Sequence, residues 1–225
     1  MREVFKLNDM NLKDRTLLLK NKAEIELKNI LNYWLENTLD YENGGFVGEI
    51  NYNEKPNFLA EKGAVLNGRI LWTFSAAYAI HKTEQYRDAA ERAFNYIKEY
   101  IYDKEFGGVF WTVEYNGRPK DTKNQIYALA FVIYGLSEYY KISKNEEALE
   151  MAQNLFYKIE LHSRDRNKKG YLEAFTRKWK EIDDLRLSEK DANEKKTMNT
   201  HLHIVEAYAN LYMIWRDKTL KTAIK

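Results

Sequence analysis

Two glycine-rich segments recur 63 residues apart, and this repeat constrains the fold more than any other feature of the sequence. "GGFVGEINYNEKP" begins at Gly44 and "GGVFWTVEYNGRP" begins at Gly107. The only two prolines of the chain, Pro56 and Pro119, obey the same spacing. A weaker third copy, "KGYLEAFT", follows at 169–176. Self-similarity at a fixed period indicates that one supersecondary unit is repeated along the chain.

Each copy lies between two helical segments of different character. The segments before the copies carry apolar residues on one face only, at 14–38, 86–101 and 144–161. The segments after them are apolar almost all round, at 64–80, 126–136 and 204–215. One-sided helices that alternate with all-round apolar helices indicate two layers, the outer one facing water and the inner one covered on both sides.

The sequence therefore predicts an all-α fold of the α/α toroid type with three helix pairs. Short β-hairpins are expected near 44–56, 107–119 and 169–176, with helices 62–81 and 123–141 in the inner layer. A tetratricopeptide array would show a period of about 34 residues. A parallel α/β fold would need an apolar strand before each helix, and the sequence has none there. We expect one domain over residues 1–225.

Composition excludes several classes of function. Lys+Arg is 36 and Asp+Glu is 34, with the signs interleaved, which argues against a nucleic-acid surface. The chain has no cysteine, hence no disulfide framework and no thiolate metal site. No apolar run has the length of a membrane span, and the N-terminus lacks the apolar core of a signal peptide, so we expect a soluble cytoplasmic protein. The aromatic content of 14% fits either a packed core or a sugar-stacking surface.

Polar residues cluster at the N-terminal ends of the inner helices. These residues are Asn67 and Arg69 on the first, Gln125, Tyr127 and, a turn later, Phe131 on the second, and Asn199, His201 and His203 on the third. Inner helices of a toroid run parallel, so these ends should meet at one mouth. On the third helix, Asn199, His203, Glu206 and Asn210 form one stripe, and His201 lies roughly 160° round from His203. Burying such a stripe costs several kcal/mol unless it is hydrogen-bonded or faces a wet cavity.

Structural interpretations of the same residues stay open. Arg69 could form an ion pair with Glu61 or another neighbour, Asn199 could be a helix N-cap, and His203 could be a hydrogen-bonded core histidine. His81 and His162 end helices, where a cation suits the dipole. The charged segment 177–198, which includes "KWKEIDDLRLSEKDANEKKT", is either a lid-like loop or a solvated surface excursion.

Four motifs, "EKGAVLNGRILWTFSAAY", "GGVFW", "GYLEAF" and "DLRLSEKDANEKKTMNTHLHIVEAYANLY", resemble the N-acylglucosamine 2-epimerase superfamily, and most closely its cellobiose 2-epimerases. The resemblance runs from about Leu27 to Trp215. It implies an (α/α)6 barrel and reversible epimerisation at C2 of the reducing-end glucose of a β-1,4-linked disaccharide. It implies no cofactor and no metal, and a small-molecule sugar as the partner.

The resemblance also assigns residues. Arg69 matches the family's arginine in "RILW", which would hold the oxygens at C1 and C2 of the sugar. Asn199 and His203 match the family's Asn-x-x-x-His, which contacts the open sugar, and Phe131 matches an aromatic residue of the pocket. We expect His203 and Arg69 to be catalytic, and Asn199, Phe131, Tyr127 and Glu206 to bind substrate.

Three helix pairs are visible where closed toroids of this type commonly have six, so we expect a half barrel. The family's two proton-exchanging histidines and its sugar-stacking tryptophans lie in the second half of the barrel. We therefore expect a weak or inactive epimerase that self-associates through an open seam. The alternatives are a non-catalytic sugar-binding remnant, an N-acylglucosamine 2-epimerase, and an inverting glycosidase that uses Glu173, Asp183 and Glu206. Neither a nucleic acid nor a membrane is expected as a partner.

Overall fold

The computed structural model describes residues 11–225, which form two compact units, one ending at Leu39 and one running from Asp40 to Lys225. The first unit contains one long helix, α1 (Leu12–Asn37), whose N-cap Asn11 accepts a hydrogen bond from the backbone N–H of Asp14. Residues 1–10, on which part of the argument about a signal peptide rests, lie outside the described residues. No helix within residues 11–225 is long and apolar enough to cross a membrane. A single domain over residues 1–225 stays a prediction.

The second unit carries the repeats. Its helices are α2 (Ala64–His81), α3 (Glu84–Tyr96), α4 (Ile126–Ser143), α5 (Glu146–Lys158), α6 (Met198–Ile214) and α7 (Lys218–Ile224). Helices α3 and α5 each continue into a π-helical turn, at Ile97–Ile101 and Ile159–Ser163. Its strands are β1 (Glu49–Ile50), β2 (Pro56–Asn57), β3 (Lys62–Gly63), β4 (Thr112–Val113), β5 (Pro119–Asp121), β6 (Asn124–Gln125) and β7 (Ala174–Phe175).

The helices of this unit form two layers. Helix α4 packs between α2 and α6, while α3 packs on α2 and α5 packs on α4. Helix α4 is buried along most of its length, whereas α3 and α5 bury one face each. The fold class predicted from the repeat, all-α with alternating inner and outer helices, is therefore confirmed. Within Asp40–Lys225 the inner layer runs from α2 to α6 and does not close into a ring.

Two glycines set the spacing of the inner layer. A Cβ atom at Gly68 on α2 would lie 2.9 Å from the backbone of Phe131 on α4. A Cβ atom at Gly135 on α4 would in turn meet the carbonyl oxygen of Gly68. The two helix backbones approach so closely only because neither position carries a side chain. This contact places Arg69, the residue after Gly68, next to Phe131.

The short strands link successive repeats. Strands β1 and β2 form one antiparallel hairpin and β4 and β5 form the next, as predicted near 44–56 and 107–119. Strand β3, directly before α2, pairs with β4 of the following repeat. Strand β6, directly before α4, likewise pairs with β7. The hairpin expected near 169–176 is therefore wrong, because the one strand of that segment, β7, pairs with β6 of the preceding repeat. The sequence does not predict the strands before the inner helices, because two residues without apolar side chains give no strand signal.

An aspartate opens the glycine-rich turn of every repeat, at Asp40, Asp103 and Asp165. Each carboxylate accepts hydrogen bonds from the two backbone N–H groups that lie two and three residues later. Each aspartate N–H donates to the carbonyl oxygen five residues on, at Gly45, Gly108 and Gly170. The three turns therefore share one construction, which the spacing of 63 and 62 residues already indicates.

Each of these aspartates forms an ion pair with a lysine or arginine side chain. Lys62 lies 2.8 Å from Asp40, Arg177 lies 2.7 Å from Asp103, and Lys196 lies 2.7 Å from Asp165. We call each such pair, with its turn, an Asp–cation clasp. The hydrogen bond from Lys196, with those from the turn, lowers the pKa of Asp165 to about 2.

The first clasp is buried. Lys62 is 1% exposed and Asp40 is 0% exposed, and the Lys62 ammonium also donates to the carbonyl oxygen of Gly44 at 2.8 Å. Burial by itself raises the pKa of Asp40, but the hydrogen bond and charge of Lys62 and the turn N–H groups outweigh burial, so the pKa is lowered. The turn and the segment before α2 are therefore joined through a paired charge in the core.

Candidate active site

Three inner helices bring together side chains from distant parts of the sequence. The guanidinium carbon of Arg69 on α2 lies 4.5 Å from the centre of the Phe131 ring on α4. The imidazole centre of His203 on α6 lies 4.4 Å from the same ring centre, tilted by 42°. Each of the three residues lies in the second turn of its helix. Arg69, Phe131 and His203 thus form a continuous row across the helix ends.

The ring of His203 is held on several sides. Tyr127 meets it edge-on at 4.9 Å, and Phe131 packs against it in a tilted arrangement. The Nδ1 atom of His203 lies 2.7 Å from Oε2 of Glu206, one turn further along α6. The side chain of His203 keeps 16% of its surface exposed, and that of Glu206 keeps 46%. His203 is therefore a partly accessible imidazole with a carboxylate on one nitrogen.

Asn199 lies in the first turn of α6 and is exposed, one turn before His203. It is not the N-cap of the helix, because Thr197 has that role and accepts a hydrogen bond from the backbone N–H of Thr200 at 3.2 Å. Asn199 therefore shares the helix face of His203, four positions earlier on α6. Five of the six candidate residues are connected by contacts, namely Arg69, Phe131, Tyr127, His203 and Glu206. Asn199 lies one turn before His203 on the same helix.

His201 lies away from this row. Its Nδ1 is 2.7 Å from the carbonyl oxygen of Thr197, and its Nε2 accepts a hydrogen bond from the backbone N–H of Tyr171 at 2.9 Å. These two bonds join α6 to the third glycine-rich segment. His201 therefore has a structural contact that accounts for both of its nitrogens.

Two other carboxylates considered from the sequence are occupied elsewhere. Glu61 pairs with Lys120 at 2.7 Å rather than with Arg69. Glu173 is 2% exposed, and its carboxylate accepts hydrogen bonds from the backbone N–H of Thr197 and the hydroxyl of Thr200. Glu173 thus caps the start of α6, and this buried position does not suit a glycosidase carboxylate that must face a substrate across a cleft.

The sequence prediction missed a second level of the site. Trp72 stacks on Tyr134 at 5.2 Å, one turn below Arg69 and Phe131. Burial, with the nearby carboxylates of Glu206 and Glu138, raises the pKa of Tyr134. The signal was available, since these residues follow Arg69 and Phe131 by three positions and so share their helix faces.

Asn210, the last residue of the α6 stripe, belongs to a separate network. Its side-chain oxygen accepts from Lys141 at 2.6 Å, and its amide donates to Glu138 and to the carbonyl oxygen of Tyr134. Lys141 and Glu138 are themselves paired at 2.7 Å. The network satisfies these polar groups within the protein and ties α4 to α6 below the row.

The charged segment 177–198 is anchored to the second repeat at several points. Arg177 binds Asp103, and the indole N–H of Trp179 donates to the carbonyl oxygen of Gly107 at 3.1 Å. Further along, the amide of Gln125, the residue before α4, donates to the carbonyl oxygen of Arg186 at 2.8 Å. These contacts place the segment next to the start of α4. Its role as a lid stays a prediction.

A cavity of about 470 Å³ opens on the α2 side of Arg69. Its lining includes Arg69, Glu49, Glu61 and Thr112. Of the row residues only Arg69 lines this cavity, since Phe131 and His203 are not part of its lining. Within residues 11–225, no group of three or more His, Asp or Glu side chains is placed to hold a metal ion. The polar groups of the row and its neighbours are the guanidinium of Arg69, the imidazole of His203 and the carboxylate of Glu206, all of which can hydrogen-bond a hydroxyl-rich ligand.

A model of the N-acylglucosamine 2-epimerase (GlcNAc 2-epimerase) family matches residues 44–223. The chain belongs to this family. A cellobiose 2-epimerase of Bacteroides fragilis is 55% identical over 205 residues, which are 91% of this chain and 52% of that protein. A cellobiose 2-epimerase of Eubacterium cellulosolvens is 44% identical over 195 residues, 86% of this chain and 47% of the relative.

The solved structures agree with the sequence relatives. The structure of cellobiose 2-epimerase from Bacillus thermoamylovorans superposes with a TM-score of 0.84 at 40% identity, over 91% of this chain and 54% of that one. The resemblance noted from the motifs is thus confirmed. The chain spans about half the length of the curated relatives it matches.

Proposed function

We propose that the row of Arg69, Phe131 and His203 is part of a carbohydrate 2-epimerase site. The substrate we assign is the reducing-end glucose of a β-1,4-linked disaccharide, in its open-chain form. The observation that supports this most is the contact row itself, because it places a cation and an imidazole on either side of one aromatic ring at the helix ends. The names of the relatives support the choice of sugar.

The chemistry explains why these residue types are needed. Epimerisation at C2 removes the C2 proton of the open sugar, and the electron pair left behind forms an enediolate with negative charge on O1. Return of a proton to the opposite face of C2 gives the epimer, with no net change in composition. Arg69 would stabilise the charge on O1 and O2. His203 would exchange a proton with a substrate oxygen or carbon, since histidine is suited to acid/base work near neutral pH.

The remaining candidates have supporting roles in this proposal. Phe131 and Tyr127 form the wall against which the sugar and His203 lie, and the amide of Asn199 would hydrogen-bond a sugar hydroxyl. The inner-helix N-termini add positive potential where the negative charge develops. A cytoplasmic location and the absence of a cofactor stay predictions from the sequence and the resemblance.

Binding of cellobiitol, the reduced and permanently open form of cellobiose, tests the site without requiring turnover. We expect Arg69→Ala to weaken binding about 10- to 100-fold, because a hydrogen bond to a charged group contributes roughly 1.5–3 kcal/mol. Arg118→Ala is the matched control, since Arg118 is exposed in the turn between β4 and β5, and it should bind like the wild type. Calorimetry or ligand-observed NMR gives the affinities. Equal affinities for both variants would refute the assignment of Arg69.

We also propose that the exposed apolar face of α6 mediates self-association. Met198, Leu202, Val205 and Met213 follow helical spacing along α6 and are between 50% and 86% exposed. Exposed apolar side chains grouped on one face of a helix are typical of a surface that associates with another protein surface. Two copies could bury it against each other, and each 100 Å² so removed from water would contribute about 2.5 kcal/mol.

A charge in the middle of that stripe should prevent the association. We expect the wild-type chain to sediment as a dimer or larger species at micromolar concentration, and Val205→Glu to sediment as a monomer. Leu161→Glu is the control, because Leu161 is 66% exposed in the turn after α5, away from the stripe. A wild-type chain that stays monomeric at high concentration would contradict the proposal.

A further inference from the structure

The structure places a carboxylate on one nitrogen of the only imidazole in the row. His203 Nδ1 and Glu206 Oε2 are 2.7 Å apart, and the residues are three positions apart on α6. The aromatic rings of Tyr127 and Phe131 fix the plane of the imidazole from α4. With the ring held in this way, the nitrogen that faces Glu206 is set by packing rather than by free rotation.

An ionised carboxylate can only accept hydrogen bonds, so the hydrogen in this contact belongs to Nδ1. In a neutral imidazole the other nitrogen, Nε2, then carries a lone pair and acts as an acceptor. Among the residues that the structure describes, the His203 ring makes its hydrogen bond through Nδ1 alone, and the side chain is partly exposed. The nitrogen left for a ligand is therefore one that takes a proton rather than gives one.

We propose that Glu206 is a positioning residue that fixes neutral His203 in the tautomer with its proton on Nδ1. The consequence is that His203 first meets its ligand as a hydrogen-bond acceptor at Nε2, so it recognises a hydroxyl or acts as a base. A carbonyl oxygen or an anion would need the opposite tautomer or the imidazolium. This assignment gives Glu206 an indirect role where the sequence predicted direct substrate contact, and its link to catalysis rests on the proposed function.

Glu138, the other carboxylate near Tyr134, does not hydrogen-bond the imidazole of His203. Glu138 is bound by Lys141 and by the amide of Asn210. Tyr134, which lies near both carboxylates, is stacked on Trp72. Glu206 is thus the carboxylate whose contact with His203 the structure records.

His201 provides an internal reference on the same helix. Its Nδ1 donates to the carbonyl oxygen of Thr197, a group that can only accept, and its Nε2 accepts from the N–H of Tyr171. The backbone therefore imposes the same tautomer on His201 without any carboxylate. A change at Glu206 should leave the tautomer of His201 as it is.

Long-range ¹H–¹⁵N NMR of the imidazole rings tests the proposal directly, and four histidines in the chain keep the spectrum simple. His203→Gln and His201→Gln assign the signals. In the neutral wild type we expect a pyrrole-type shift for Nδ1 and a pyridine-type shift for Nε2 of His203. In Glu206→Ala we expect the Nε2–H form to become the major species of His203, while the signals of His201 stay unchanged.

A wild-type His203 protonated on Nε2, or an unchanged tautomer in Glu206→Ala, would overturn the proposal. If the alanine variant does not fold, Glu206→Gln decides the question, because the glutamine amide can serve either tautomer and should give a mixture. The measurement needs no sugar. If the tautomer of His203 switches in Glu206→Ala but no form of the protein binds cellobiitol, the positioning role is supported and the proposed function is refuted. If the protein binds cellobiitol but the tautomer does not switch, the proposed function is supported and the positioning role is refuted.

Discussion

In deuterated water with cellobiose, these 225 residues on their own are expected to exchange the C2 proton of the sugar about 10²–10⁴-fold more slowly than the Bacteroides fragilis cellobiose 2-epimerase, about half of which they match. Epimerisation needs acid/base groups on both faces of C2, because the proton leaves from one side and returns to the other. Within the described residues the row contains one imidazole, His203. His201 is committed to Thr197 and Tyr171, and each missing acid/base group removes about 10²–10⁴ of rate.

The comparison should use the Bacteroides fragilis relative at equal concentration, with deuterium at C2 measured by NMR. His203→Ala in this chain is the internal control and should lower any residual exchange to the uncatalysed rate. Exchange at a rate similar to that of the relative, and abolished by His203→Ala, would show that one imidazole suffices and that the two-sided mechanism is wrong for this chain. Cellobiitol binding without exchange would favour the non-catalytic sugar-binding alternative.

Lys62→Met is expected to lower the free energy of unfolding by about 3–5 kcal/mol, because it leaves the charge of Asp40 buried without its partner. The loss includes the hydrogen bond from Lys62 to the carbonyl oxygen of Gly44. Urea denaturation followed by circular dichroism measures the change, and Tm should fall by roughly 10 °C. Methionine keeps the length of the side chain, so the effect reports the charge and hydrogen bonds rather than a cavity.

Lys120→Met is the matched control. Lys120 pairs with Glu61 at 2.7 Å, nearly the distance of the buried pair, but the two side chains are 49% and 46% exposed. An exposed pair of this kind contributes about 0–1 kcal/mol. If Lys62→Met and Lys120→Met lose similar amounts of unfolding free energy, burial does not decide how strongly the first Asp–cation clasp stabilises the fold.

At acid pH the wild type and Lys62→Met should differ less in their free energy of unfolding than they do at pH 7. The pKa of Asp40 is lowered in the folded protein, so its stabilising contribution is present above the ordinary aspartate pKa of about 3.9 and is lost as pH falls through the folded value. Denaturation curves at pH 7 and in the acid range below about 4 give this comparison. If the two proteins differ in free energy of unfolding by the same amount at both pH values, the stabilisation by Lys62 does not depend on an ionised Asp40.

Much of the fold and part of the candidate site could be predicted from the sequence. The repeat spacing and the alternation of one-sided and all-round apolar helices gave the two layers, because helical periodicity shows which faces are buried. Parallel inner helices then imply that Arg69, Phe131 and His203 lie at the same level. The N-terminal end of the third inner helix, expected at Asn199, agrees with its start at Met198, whereas the π-helical turns were not foreseen.

The sequence by itself determined the architecture and the set of polar residues at the helix ends. Only the tertiary structure decided their partners. Asp40 is held by Lys62 from its own repeat, whereas Asp103 is held by Arg177, 74 residues away, although the three aspartates look equivalent in the sequence. The same holds for Arg69, which stacks on Phe131 while Glu61 pairs with Lys120. Periodicity fixes the face of a helix on which a side chain lies, but the distance between two helices depends on packing, here on Gly68 and Gly135, which no local pattern encodes.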